Sequence, residues 1–248
     1  MRDKIKDREY IEENYNFYLN SYNERFEIIK EKFAKYLKEG IPYSKIEDAM
    51  SGYHYGIFLS GFKSFYAGYS LGLGIKEIKY IGEGLLYGLY KNNKWTNVTF
   101  EATRAALLFI IVLNIKTEYV EKFIKLIRKD NFKDRYIDHL INYIDKREEI
   151  KATKLLFNKK EKMPMKVVDL ANEGKKEEAV KVLKEYVTKQ WINLLDDQTV
   201  IKKNSHLEDY YVGYWCIEAA ALVKMYDLND EILKECDYYP YELAHFER

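Results

Sequence analysis

Apolar residues recur every three or four positions along most of this chain. Ile11, Tyr15, Tyr18, Tyr22, Phe26, Ile29, Phe33 and Tyr36 form one stripe, which predicts a helix over the first forty residues. Gly40-Ile41-Pro42 stops it. Ser51 to Tyr90 holds nine of the twelve glycines, with pairs four apart at 52/56, 68/72 and 84/88. On helices each pair shares a face and lets a neighbouring helix come close. Gly72-Leu73-Gly74 reads as a turn before a helix from Ile75 to Lys91. Thr99–Asn114 reads as a buried helix, and Tyr119–Arg128 and Tyr136–Ile144 as amphipathic ones. A basic segment runs from Lys151 to Lys166. Val167–Leu170 and Glu177–Trp191 are helical again, and Asp196–Leu207 is a loop. The last long helix is expected from Leu207 to Tyr226, with Tyr211, Trp215, Glu218, Leu222 and Tyr226 on one face. No stretch alternates apolar with polar residues, so the expected class is all-α. The expected architecture is a helical bundle of two packed helical subdomains, 1–130 and 131–248, divided in the polar stretch Lys129–Asp134.

Of 248 residues, 47% are apolar and 33% charged, which excludes overall disorder. Lys plus Arg number 41 against 40 Asp plus Glu, a net charge of +1. That balance argues against a chain that binds nucleic acid directly over its whole surface. The charge is unevenly spread. Residues 151–203 hold 13 cations against 8 carboxylates, a net of +5, and residues 204–248 hold 3 against 10, a net of −7. A concentrated negative end attracts a basic partner even when the total is neutral. Met1-Arg2-Asp3-Lys4-Ile5-Lys6-Asp7 has no apolar region behind it, so no secretion signal is expected. The longest apolar run, Ala105–Leu113, falls short of the about 20 residues a bilayer needs, so no membrane role is expected. Two cysteines exclude a disulfide scaffold and suit a reducing cytoplasm.

Motifs for chemistry are missing. The chain has no phosphate-binding Gly-Lys-Ser/Thr, no Gly-x-Ser-x-Gly, no His-Glu-x-x-His and no Cys-x-x-Cys, and no pair among its four histidines has zinc spacing. No catalytic residue, cofactor or metal is expected. Arg135 and His139 read as an exposed helix face, and Cys216, beside Trp215 on the apolar helix, as a buried thiol. Glu218 stands out because its helical neighbours are apolar, and a buried carboxylate needs partners. Tyrosine hydroxyls, 24 in all, are the plentiful ones. The other reading of these residues is a helical metal-dependent hydrolase or nuclease that uses Glu218 with His206 and His245.

Tyr211-x-Gly213-Tyr214-Trp215-x-x-Glu218-Ala219-Ala220-Ala221 is followed by Tyr238-Tyr239-Pro240-Tyr241-Glu242-Leu243-Ala244-His245-Phe246. These motifs resemble the C-terminal domain of the PoNi family, bacterial immunity proteins against polymorphic nuclease toxins. Tyr186, Trp191 and His206 support the likeness upstream. Arg2-Asp3, the Tyr-rich first helix and Tyr66-Ala67-Gly68-Tyr69-Ser70-Leu71-Gly72 resemble its N-terminal domain. The resemblance implies a non-enzymatic cytoplasmic protein that binds and neutralises a cognate DNase toxin domain. A nuclease holds polyphosphate in a basic groove, which an acidic, tyrosine-rich surface can cover. The expected toxin-binding residues are Asp196, Asp197, His206, Glu208, Asp209, Tyr210 and Tyr211, with a second patch at Asp227, Asp230, Glu231 and Glu235. Gly213, Trp215, Glu218, Tyr239 and Pro240 are motif residues assigned to the core. A Tyr-rich helical surface also admits a homodimer.

Overall fold

A computed structural model describes residues 1–92, 100–129, 133–195 and 201–247. The helices are α1 (Arg8–Lys38), α2 (Tyr43–Leu71), α3 (Ile75–Lys91), α4 (Phe100–Leu113), α5 (Glu118–Lys129) and α6 (Arg135–Ile144). They continue as α7 (Asn158–Asn172), α8 (Lys176–Glu185), α9 (Trp191–Leu194), α10 (Ile217–Tyr226) and α11 (Tyr241–His245). A π-helical turn, Tyr186–Gln190, joins α8 to α9. The class is all-α, and no strand occurs among the described residues. None of their helices is long and apolar enough to cross a membrane.

Local chemistry sets the helix ends. Asp7 caps α1 by accepting the Tyr10 N–H at 2.9 Å, and Lys35 and Lys38 sit in its last turn, where cations suit the helix dipole. Gly40 lies at φ 72°, and the Ile41 N–H returns to Tyr36 O at 3.0 Å, which satisfies a terminal carbonyl. Gly72 ends α2 the same way at φ 92°, and Arg2 covers two further carbonyls there, Tyr69 O at 2.8 Å and Leu73 O at 3.0 Å.

The chain divides into two units. The first takes residues 1–106, 117–122 and 197–213; the second takes 107–116, 123–196 and 214–248. The expected cut at 130/131 falls on residues 130–132, outside the described ones. In the first unit α2 packs against both α1 and α3, so it is buried almost all round from His54 to Leu71. Small residues make this possible. A Cβ on Gly88 would stand 2.6 Å from His54 O and 2.9 Å from Phe58 N, both backbone atoms, and at Gly84 the Tyr22 hydroxyl fills the place of a Cβ. The expectation of close packing fails at Gly52, where a Cβ would meet open space, while Gly72 is the helix stop expected of it. His54 is 6% exposed beside the Tyr87 ring, with centroids 5.7 Å apart. Burial, aided by the Lys91 ammonium, lowers its pKa to about 4.

In the second unit, Arg135 forks onto Asp169 and ties α6 to α7, so it is not the idle exposed face expected of it. The helix expected from Leu207 to Tyr226 is also corrected. Only Ile217–Tyr226 is α-helical. Gly213 sits at φ 116°, outside helical space, and the Cys216 N–H bonds to Tyr238 O at 2.8 Å, not to a carbonyl four residues back. Tyr211, Trp215 and Cys216 are therefore buried without being helical.

Gly88→Ala is expected to lower stability by about 1–3 kcal/mol through overpacking, while Gly52→Ala gains up to about 1 kcal/mol of helix propensity. Urea midpoints of the two variants measure this, and equal shifts would refute the packing account. His54 favours the neutral form in the fold, so the unfolded chain takes the proton first. Its contribution is full above pH 6.5 and is lost as pH falls toward about 4. Replacing His54 by Leu should flatten the urea midpoint over that window.

Candidate functional site

Residues 201–213 belong to the first unit and contain one short 3₁₀ turn, Ser205–Leu207. A segment so irregular stays in place because side chains take its backbone hydrogen bonds. The Tyr10 hydroxyl donates to Glu208 O at 2.8 Å and accepts the Tyr211 N–H at 3.2 Å. Ser70 donates to Val212 O at 2.7 Å. The Tyr211 hydroxyl donates to Asp3 Oδ2 at 2.6 Å, while Asp3 Oδ1 accepts the Ile5 and Lys6 N–H groups at 2.9 Å each. The Lys63 ammonium lies 4.8 Å from the Tyr18 ring centre and 5.3 Å from that of Tyr210. Burial, with Lys202 nearby, pulls the Lys63 pKa down.

Between these ties the chain turns outward. Leu207 is 74% exposed, Glu208 and Asp209 are exposed, and His206 and Tyr210 are half-buried. Tyr211 does not join them: it is buried, its hydroxyl spent on Asp3. Asp196 and Asp197 lie outside the described residues.

The second expected patch separates into different roles. Asp230 is 3% exposed; it accepts the Tyr239 hydroxyl, and His245 Nε2 lies 3.0 Å from both its oxygens. A carboxylate so enclosed holds the segment together and offers no face to a partner. Asp227 and Glu231 are exposed and border a groove of about 390 Å³, which Lys176, Lys181 and the half-exposed Ile232 also line. The charge there is mixed, not uniformly acidic. Glu235 is exposed.

The motif residues are internal. Glu218 is 3% exposed and accepts the Tyr186 hydroxyl. Tyr186 opens the π turn, in which the Trp191 N–H bonds back to Tyr186 O five residues earlier. Trp191 and Tyr214 both pack on the Tyr238 ring, with centroids 5.6 and 6.1 Å apart. Trp215, Tyr239 and Pro240 are buried. His245 serves Asp230, and His206, in the first unit, packs its ring toward Tyr211 with centroids 6.4 Å apart. Among the described residues no three metal-binding side chains cluster.

The family model described as PoNe immunity proteins (PoNi), C-terminal, matches residues 118–243, just over half of the chain. The chain belongs to the PoNi family. Membership assigns it the role of an immunity protein against a nuclease toxin, and the family implies that this role is non-enzymatic. The matched span includes both the outward turn at 206–210 and the Glu218 motif. No curated protein matches the sequence. A solved structure, "The Crystal Structure of Protein PA2201 from Pseudomonas aeruginosa", is similar with a TM-score of 0.66 at 14% identity, covering 100% of this chain and 90% of that one. At that identity the likeness shows the fold alone.

Sequence reasoning missed Leu207, an apolar residue in a polar loop, and the anchors Tyr10, Ser70 and Lys63. Tyr10 falls one position off the α1 stripe, which was its only signal.

Tyr186→Phe removes a donor from a buried carboxylate and should cost about 1–3 kcal/mol. Glu218→Ala should likewise lower the melting temperature while toxin affinity per folded molecule stays at its original value. Thermal melts paired with binding titrations check this; an affinity loss without a stability loss would place Glu218 at the interface.

Proposed function

We propose that this PoNi family member neutralises its cognate nuclease toxin domain by direct one-to-one binding in the bacterial cytoplasm. The turn His206–Tyr210 is the primary contact. A nuclease binds a polyanion, so its groove is basic, and Glu208 and Asp209 present fixed negative charge to it. Leu207 between His206 and Glu208 supplies an apolar anchor, and Tyr210 adds ring area beside it. The observation that carries this reading is the Tyr10 hydroxyl bridging Glu208 O and the Tyr211 N–H. It fixes the turn before binding, so little ordering entropy is lost on contact.

Asp196 and Asp197, which precede this turn in the sequence and lie outside the described residues, complete the proposed contact set. Asp227 and Glu231, on the groove of mixed charge, and the exposed Glu235 are the secondary contacts in the second unit. Asp230 and Tyr211 act from within, by holding the backbone that displays the others. The toxin takes the place of DNA, and this chain touches no nucleic acid in the process.

The test is a titration of plasmid cleavage by the toxin domain encoded beside this gene. Activity should fall to zero at one equivalent. Changing Glu208 to Gln and Asp209 to Asn should slow association and weaken the salt dependence of binding, as loss of steering charge does. Leu207→Ala should speed dissociation about tenfold or more, as loss of a central anchor does. If all three changes together leave neutralisation intact, the turn is not the contact.

A further inference from the structure

Residues 145–157, between α6 and α7 of the second unit, form no helix of their own, yet the loop is tied down along its length. Asp138 Oδ2 accepts the N–H groups of Lys151 and Ala152 at 2.8 Å each, and Asp134 Oδ2 accepts that of Leu156 at 2.7 Å. Both carboxylates are buried. The Arg135 N–H reaches Lys154 O at 2.9 Å, Asn142 reaches Glu148 O at 2.7 Å, and Glu161 accepts the Phe157 N–H at 3.0 Å. A long loop fixed this firmly has the form of a binding loop.

Its outward side is apolar and cationic. Ile150, Leu156 and Phe157 are 42%, 53% and 38% exposed. Between residues 146 and 162 six cations are exposed, against one exposed carboxylate, Glu149. Lys151 lies 3.6 Å from Glu149 in a fully solvated pair, which holds it weakly.

The first unit carries a surface of the opposite kind. An open groove of about 790 Å³ runs along α1, with Tyr22, Phe26 and Tyr80 as its apolar lining and Glu24, Glu27 and Glu31 as its charges. The three glutamates are exposed, and among the described lining residues there is no cation. Glu27 has only a solvated contact with Lys30 at 3.6 Å.

We infer that the loop of one molecule docks in this groove of a second copy. Lys151 and Lys154 of the loop, with Lys159 from the first turn of α7, meet the three glutamates, while Leu156 and Phe157 cover the aromatic lining. Three features favour a second copy as occupant. The two surfaces are complementary in charge and both have an apolar centre. The loop is already ordered, which suits a partner of fixed shape and gives no advantage on a fluid bilayer. A net charge of +1 sets up little general repulsion between copies. A phosphate backbone would satisfy the lysines but leave Ile150 and Leu156 in water. The inference is independent of the toxin-binding turn.

Sedimentation of the full chain over a concentration series tests it, with circular dichroism to confirm folding. The mass should rise above one chain with concentration and return to one chain in high salt. Changing Lys151, Lys154 and Lys159 to Glu, or Glu24, Glu27 and Glu31 to Lys, should each give a single-chain mass. Mixing the two folded variants should restore association, because each then meets an opposite surface. Phe157→Ala should weaken self-association about tenfold, the loss expected of a buried anchor. A single-chain mass for the wild type at every concentration overturns the inference, as does association that survives either triple change or fails to return on mixing. Single-chain behaviour with lysine-dependent binding to anionic vesicles or duplex DNA overturns it too, in favour of those ligands.

Discussion

Irregular backbone can persist against a helical core only where something accepts and donates in place of the helix ladder. An unpaired buried N–H or C=O costs about 1–3 kcal/mol, so a few such groups would cancel the stability of a domain. In this protein the substitutes are buried carboxylates and tyrosine hydroxyls. Asp3, Asp134, Asp138, Glu161 and the hydroxyl of Tyr10 each hold a stretch of chain outside the helices. Glu218 with Tyr186, and Asp230 with Tyr239 and His245, do the same work between helical segments and the chain that follows them. The abundance of tyrosine is explained by this need as much as by packing.

The same constraint decides what the surface displays. A segment held from behind by fixed bonds can present its outer residues at constant geometry, and a partner then meets a surface that needs no further ordering. The turn at 206–210 is built this way, with Tyr10, Ser70 and Asp3 behind and Leu207, Glu208 and Asp209 in front. The loop at 145–157 follows the same plan with Asp134 and Asp138 behind. For the toxin capture proposed above, rigid display serves both fast association and slow release.

How the acidic residues sort is the clearest case where charge alone misleads. Glu208, Asp209, Asp230 and Glu231 have the same formal charge and fall in one acidic stretch of sequence. Two stand free on an anchored turn, one is enclosed by Tyr239 and His245, and one lies on a groove that Lys176 and Lys181 share. The lysines come from a helix about fifty residues earlier, so no local pattern announces them.

The all-α class, the positions of most helices and the resemblance to the immunity family were legible in the chain itself. Helical periodicity and glycine stops are local signals, as the end of α1 at Gly40 and of α2 at Gly72 illustrate. The need of Glu218 for a partner was legible too, because a carboxylate among apolar neighbours demands one. What periodicity could not reveal was that helix formation would fail before Ile217. The stretch Tyr211–Cys216 has apolar spacing, but Tyr238 O, Tyr10 and Asp3 offer its backbone and side chains bonds that a helix would forgo. Those partners lie far away in sequence. Local propensity decided where helices could form; only the tertiary structure decided which polar groups would be buried, which would be paired, and which were left facing outward.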